Sequence, residues 1–226
     1  MARPQIQLAL ELGHIQAFDR EDFLIAPCNQ DVVAWLDRWP EWPGKGLIIQ
    51  GPIGCGKTHL AYVFQSMSGA RVVSAVNVSQ EDIYGCPSHI VVEDMESNVN
   101  ASALLHLYNS VIEQGGTIML TSRSSPGSWQ LELPDLRSRL NVLGSATVGL
   151  PDDTLLAAIL VKLLADRQLK VGEDVVMYIV RRMERSFQMA REIVQLLDEA
   201  SLEVHREITI PLARQILDGR ALSGKE

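Results

Sequence analysis

"GLIIQGPIGCGKTHLAYVF", Gly46 to Phe64, is the stretch that decides how the rest of the chain is read. Its opening five residues are short and apolar, as a buried parallel strand is. Gly51 to Thr58 then satisfies G-x-x-x-x-G-K-[ST] in full, between that strand and a helical stretch. Gly51, Gly54 and Gly56 let the backbone curl with its N–H groups inward, and the N-terminus of the following helix favours a phosphate anion. In such a loop Lys57 contacts the β- and γ-phosphates and Thr58 offers its hydroxyl to Mg²⁺. Gly51, Pro52, Gly54, Cys55, Gly56, Lys57, Thr58 and His59 are therefore candidate contacts for ADP or ATP. Cys55 reads as a small residue filling a tight turn rather than as a redox centre.

Around this loop the first two thirds of the chain alternate β-rich runs with helical stretches. "GLIIQG", "RVVSAV", "HIVVED" and "TIMLTS" carry the Val, Ile and Thr of buried strands. Ser102 to Gln114 has apolar residues at helical spacing and stops at Gly115-Gly116. This is a βαβ rhythm and predicts an α/β fold with a parallel sheet. From Pro151 onward "DDTLLAAILVKLLADRQLK", "EDVVMYIVRRME" and "SFQMAREIVQLLDEASLEV" show the three-four spacing of amphipathic helices. Asp152 or Asp153 and Ser186 are the expected N-caps. The reading divides the chain into an arm (1–16), an α/β nucleotide-binding domain (17–150) and a small all-helical domain (151–226).

A phosphate loop needs an acidic partner at the end of a neighbouring buried strand. "HIVVEDM" supplies Glu93 and Asp94, one carboxylate for the metal ion shared with Thr58 and one to orient an attacking water. The first of the two is usually Asp, and the extra methylene of Glu93 works against efficient positioning.

Composition narrows the class. The 226 residues are 46% hydrophobic and 21% charged, enough for a real core. The net charge of −8 argues against a chain whose main business is gripping nucleic-acid backbone, and suits protein partners. Cys28, Cys55 and Cys86 form neither a disulfide framework nor a zinc pattern and read as reduced thiols in cytoplasm. "MARPQIQ" lacks the apolar core of a signal peptide, and no run is long enough for a membrane span.

Taken with the loop, four further segments give a specific resemblance. "FDREDFLIAPCNQDVVAWLDRWPEWPG", "LTSRSSP", "LPDLRSRL" and "ITIPLARQIL" are similar to the base-binding, strand-end sensor, arginine-finger and lid segments of the AAA+ ATPases of the DnaA replication-initiator group. The resemblance implies an AAA+ core with a helical lid, with Phe23, Ile25 and Asn29 near the adenine. It places Thr121 and Ser122 at the sensor strand's end and Arg139 at the finger position, acting in trans on a neighbour's nucleotide. Two positions depart from the pattern: Arg123 stands where the initiator has an acidic sensor, and the lid sensor arginine falls on Gln188. Arg191, nearly one turn further on the same face, is the candidate substitute, the alternative being a solvated helix arginine and no lid sensor. The chain ends at Glu226, shortly after "ARQILDG", without the initiator's helix-turn-helix segment.

The implied function is regulatory. A nucleotide-bound module, holding ADP, docks on DnaA and makes it hydrolyse its ATP, with the lid angle presenting Arg139 and with slow hydrolysis of its own. The alternatives are a self-sufficient ATPase such as a helicase-loading factor, and a scaffold independent of nucleotide. A homodimer is a further option. "QLALEL", Gln7 to Leu12, reads from its alternation as an edge strand with Leu8, Leu10 and Leu12 on one face. It also resembles the short peptide by which replication proteins hold the DNA polymerase III β sliding clamp. That resemblance implies Gln7, Leu8, Leu10 and Leu12 as clamp contacts, and DNA reached only through the clamp.

Overall fold

Ile48 lies between Leu47 and Ile49 on one strand, and all three are buried. Successive strand residues face opposite sides of a sheet, so both sides must be covered. The structure, a computed structural model, describes residues 24–79, 88–129, 131–204 and 208–223. The "QLALEL" arm with Gln7, Leu8, Leu10 and Leu12, together with Phe23 and Cys86, lies outside the described residues.

In chain order the elements are α1 (Gln30–Asp37), β1 (Gly46–Gln50), α2 (Lys57–Ser68), β2 (Arg71–Ser74), β3 (His89–Glu93), α3 (Ala101–Glu113) and β4 (Thr117–Ser122). They continue with α4 (Pro134–Leu140), β5 (Gly144–Thr147), α5 (Asp153–Asp166), α6 (Glu173–Val180), α7 (Phe187–Val204) and α8 (Ile210–Ser223). The sheet has five strands in the order β2-β3-β4-β1-β5, all parallel. The strand beside β1 is thus β4, and the carboxylate strand β3 is one place further than sequence adjacency to the loop suggested. Parallel pairing puts all strand ends, including the four read from sequence, on one edge.

One face of the sheet, with Ile48, Ile90, Val92, Ile118 and Leu120, packs on Leu104, Leu107 and Val111 of α3 and Leu136 and Leu140 of α4. The other, with Leu47, Ile49, Val91 and Met119, packs on Val32 and Leu36 of α1 and Leu60 and Phe64 of α2. The helices from α5 onward close a separate core around Leu156, Leu160, Ile179, Ile193, Val194 and Leu197. Their starts follow the expected chemistry. Asp152 Oδ1 accepts from Leu155 N at 2.8 Å, and Ser186 Oγ accepts from Met189 N at 3.0 Å. None of the helices among the described residues is long and apolar enough to cross a membrane.

β5 is the strand that the sequence did not announce. "GSAT" contains Gly, Ser and Ala, and as an edge strand it buries only alternate residues. Gly144 is required there, because a Cβ would stand 2.9 Å from the Trp35 ring.

The Asp152 cap yields a test. Asp152→Ala should destabilise the chain by about 1 kcal/mol and Asp152→Asn by much less. Urea unfolding of the two variants measures this, and equal midpoints would remove the cap from the account.

Candidate functional site

At the strand-end edge the loop from Gly51 to Gly56 is held from below by the strand tips. Gly51 N donates to Ser122 O at 3.1 Å, and Val148 N donates to Gln50 O at 2.7 Å. A Cβ on Gly51 would lie 2.6 Å from both Val148 O and Cys55 Sγ. Gly54 and Gly56 take φ of +73° and +97°, the left-handed region that glycine enters freely. The loop is consequently bare backbone at these three positions, which is what close approach to phosphate oxygens requires.

Lys57 begins α2 and is 9% exposed. Its ammonium donates to Gly51 O at 2.6 Å and Pro52 O at 2.9 Å, so the charge sits inside the loop it serves. Cys55 is buried against the core, and burial pushes its thiol above the usual range in spite of Lys57. That suppresses the thiolate, in keeping with a packing role. Cys28 is raised by the same cause. Pro52 and Thr58 are exposed and His59 half-buried at the mouth of the loop.

Thr58, at the start of α2, is among the groups that act on the Glu93 side chain and favours its ionised form, although β4 separates β1 from β3. Burial raises the Glu93 carboxyl above its ordinary value, Asp94 adds to this, and the Thr58 hydroxyl and Lys57 oppose it. A hydroxyl beside a carboxylate is a fitting pair of oxygen donors for Mg²⁺, which characteristically keeps several waters of its own. Asp94 takes φ +60° and is exposed, with its N–H on Thr121 Oγ1 at 3.3 Å. Thr121 and Ser122 are fully buried at the tip of β4, and Ser122 Oγ donates to Ser124 O at 2.7 Å. They tie the sheet edge together.

Sequence reasoning missed Glu96. Its Oε1 accepts from the backbone N–H of Arg123 and, at 3.0 Å, of Ser124, fixing the turn after the sensor strand. An acidic residue three positions past Glu93 gives no such signal in one dimension. The lid contact was also missed. Phe187 N donates to Gly54 O at 2.8 Å, a Cβ on Gly54 would meet Ser186 Cβ at 2.8 Å, and one on Gly56 would meet the Phe187 ring at 3.3 Å. The start of α7 therefore rests on the phosphate loop.

Gln188 donates to Glu192 Oε1 at 2.9 Å. Arg191 follows Phe187 by four residues and Gln188 by three, so it shares their side of α7. It is exposed by area, yet desolvation lowers its guanidinium, which stays charged near neutrality.

On the base side, Ile25 is 66% exposed and Asn29 is buried. Asn29 Oδ1 accepts from Ala26 N at 2.8 Å and Nδ2 donates to Leu24 O at 3.0 Å. Its amide shapes the 24–29 turn that presents Ile25.

Arg139 stands on α4, in the α/β core and not in the lid, so the lid angle does not present it as the sequence reading supposed. Its Nε donates to Asp135 Oδ1 at 3.2 Å and Oδ2 at 3.1 Å, and its guanidinium lies 5.9 Å from the Tyr108 ring centroid. Such an exposed i,i+4 pair contributes at most about 1 kcal/mol and does not hold the arginine against a stronger anion.

Fold and site together define an AAA+ P-loop module: a parallel β2-β3-β4-β1-β5 sheet with the loop on β1, followed by a helical lid. Residues 153–217 match the family model described as the Hda lid domain. Domain III of the DnaA initiator from Thermotoga maritima superposes with a TM-score of 0.76, at 18% identity, over 89% of this chain and 96% of that one. AMPPCP-bound DnaA from Aquifex aeolicus gives 0.66 at 18% identity, over 81% of this chain and 65% of its own. Thermotoga maritima RuvB, a Holliday junction branch migration motor, gives 0.65 at 16% identity, over 84% of this chain and 66% of that one. An uncharacterised Haemophilus influenzae protein is 26% identical over 185 residues, 75% of this chain and 80% of that protein. The match to the Hda lid model thus stands beside a core of the DnaA domain III fold.

The Glu93 shift has a definite sign. Its folded value is raised, so stability is fully present below the ordinary glutamate range and declines as pH climbs through the raised value. Glu93→Gln should therefore raise the melting temperature at pH 7, with the gain disappearing below about pH 4. Thermal melts across that range check it, and a pH-independent difference would contradict the burial argument.

Proposed function

We propose that the chain is a regulator of replication initiation that binds adenine nucleotide, ADP in its working state, and stimulates ATP hydrolysis by DnaA. The observation that carries this reading is the phosphate loop with every glycine in place beneath an Hda-type lid. Beside it the sensor positions hold Arg123 and Gln188. Binding parts are intact and hydrolytic parts are altered, which suits a protein whose chemistry takes place in its partner.

In this reading Gly51, Gly54 and Gly56 approach the phosphates, Lys57 turns from its loop carbonyls to the β- and γ-oxygens, and Ile25 lies against the adenine. Pro52, Cys55 and His59 complete the loop's wall. Thr58 and Glu93 hold Mg²⁺, which when bound neutralises phosphate charge. Asp94, Thr121 and Ser122 keep the strand tips in register, and Arg191 approaches the phosphates from α7. The domain limits near 16 and 150 follow the same division between arm, phosphate site and lid.

Arg139 is the residue offered to DnaA, from the core edge formed by α4. The arm contributes separately. Gln7 at a pocket rim and Leu8, Leu10 and Leu12 against apolar surface would hold the β clamp, making the regulator's action conditional on loaded clamps.

Measuring ATP hydrolysis by purified DnaA with and without this chain, in the presence of clamp loaded on DNA, tests the reading. Stimulation is expected, and Arg139→Ala should abolish it while leaving the variant's own nucleotide binding intact, since a finger is worth about 10³–10⁵ in rate. Equal stimulation by the variant would contradict the finger, and none by the wild type would contradict the function. The arm has its own check: Gln7→Ala with Leu10→Ala should remove clamp binding with an unchanged melting temperature. A large loss of stability would return the arm to the fold.

A further inference from the structure

On the lid, α6 and the start of α8 enclose an open groove of about 480 Å³ whose walls include Tyr178, Arg182, Ile210, Pro211, Arg214 and Asp218. None of these residues belongs to the phosphate loop, the strand tips or α7. The volume lies in the range of sites that take side-chain-sized ligands, about 300–1,000 Å³.

The chain carries a net charge of −8, yet here two guanidiniums face one carboxylate. Arg182 lies over the Tyr178 ring, with its central carbon 3.9 Å from the centroid. Stacking of this kind orients the guanidinium and leaves the N–H edge as its directional face. Arg214 Nε is 3.7 Å from Asp218 Oδ2, with both side chains more than 70% exposed. That separation is well beyond the roughly 2.7–2.9 Å of a charge-assisted hydrogen bond, so the pair yields readily to a better-placed anion. Ile210 and Pro211 supply an apolar strip beside the charges.

We propose that this groove docks an acidic peptide segment of a partner protein. Its carboxylates pair with Arg182 and Arg214, and an adjoining apolar side chain covers Ile210 and Pro211. Carboxylate geometry matches the guanidinium fork, and the opposite charge gives the segment its direction along the groove. Nucleic acid is the weaker match: backbone binding draws on many phosphate contacts, and the groove offers two arginines with a carboxylate between neighbours in an acidic chain.

The test is fluorescence anisotropy of a labelled peptide, Asp-Glu-Leu-Asp-Phe-Gly, titrated with the full chain at low salt. Binding is expected, and the matched peptide with Asn and Gln in place of the acids should bind at least tenfold more weakly. Arg182→Gln and Arg214→Gln should each weaken binding about tenfold, the scale of a lost charge-assisted hydrogen bond, with unchanged melting temperatures. Asp218→Asn, which releases Arg214, should strengthen it. Equal binding of the neutral peptide, or undiminished binding by both arginine variants, would overturn the proposal. So would arginine-dependent binding of single-stranded DNA or phosphatidylserine vesicles without binding of the peptide, or arginine-dependent self-association in sedimentation that excludes it.

Discussion

The phosphate loop admits no side chain at three of its positions, and the reasons lie in two different parts of the molecule. Gly51 is closed by the sheet edge, through Val148 O and Cys55, whereas Gly54 and Gly56 are closed by the lid, through Ser186 and Phe187. One six-residue turn is thus a place where core and lid touch. The positive φ of Gly54 and Gly56 is what lets the loop turn under α7. Lys57, folded onto Gly51 and Pro52 carbonyls, supplies positive charge at the same turn. Whatever binds the loop must therefore act on the lid as well, by contact and by charge.

The strand tips transmit the same constraint sideways. β4 lies between the loop strand and the carboxylate strand, so Thr121 and Ser122 are structural intermediaries: Ser122 O receives Gly51 N, and Thr121 Oγ1 receives Asp94 N. Glu96 pins the turn beyond them. The half-buried, raised Glu93 stands at this frame, and the altered positions Arg123 and Gln188 are exposed. In the function proposed, a site so arranged keeps phosphate recognition and relinquishes some of the positioning on which hydrolysis depends. On the proposed reading, the arginine on α4 acts on another subunit's nucleotide, and its exposure at the core edge suits that task.

Much of this was legible in one dimension because the chemistry is local. The glycines, Lys57 and Thr58 stand within eight residues, and their spacing alone implies strand, turn and helix. Val and Ile runs announced β1 to β4, and amphipathic spacing announced the lid helices with Asp152 and Ser186 as caps. What escaped had no local signature. "GSAT" forms β5 only because β1 offers it a free edge. Ser186 was recognisable as a cap but not as a wall over Gly54, since that contact spans more than 130 residues of chain. Asn29 was assigned to the base side on resemblance; that its amide closes the turn displaying Ile25 had no signal in the sequence. Arg139 was tied to the angle of the lid, yet it stands on α4 in the core, a dozen residues before the lid begins.

The central claim is that adenine nucleotide binds between this loop and this lid and joins them. Calorimetric unfolding of the full chain with and without ADP and Mg²⁺ addresses it most directly. At a hundredfold excess over the dissociation constant, ligand bound to the folded form stabilises it by about 2.7 kcal/mol. The account predicts an upward shift of the whole transition, lid included, in the presence of ADP. A melting profile unchanged by millimolar ADP, or a shift confined to the α/β core, would contradict it.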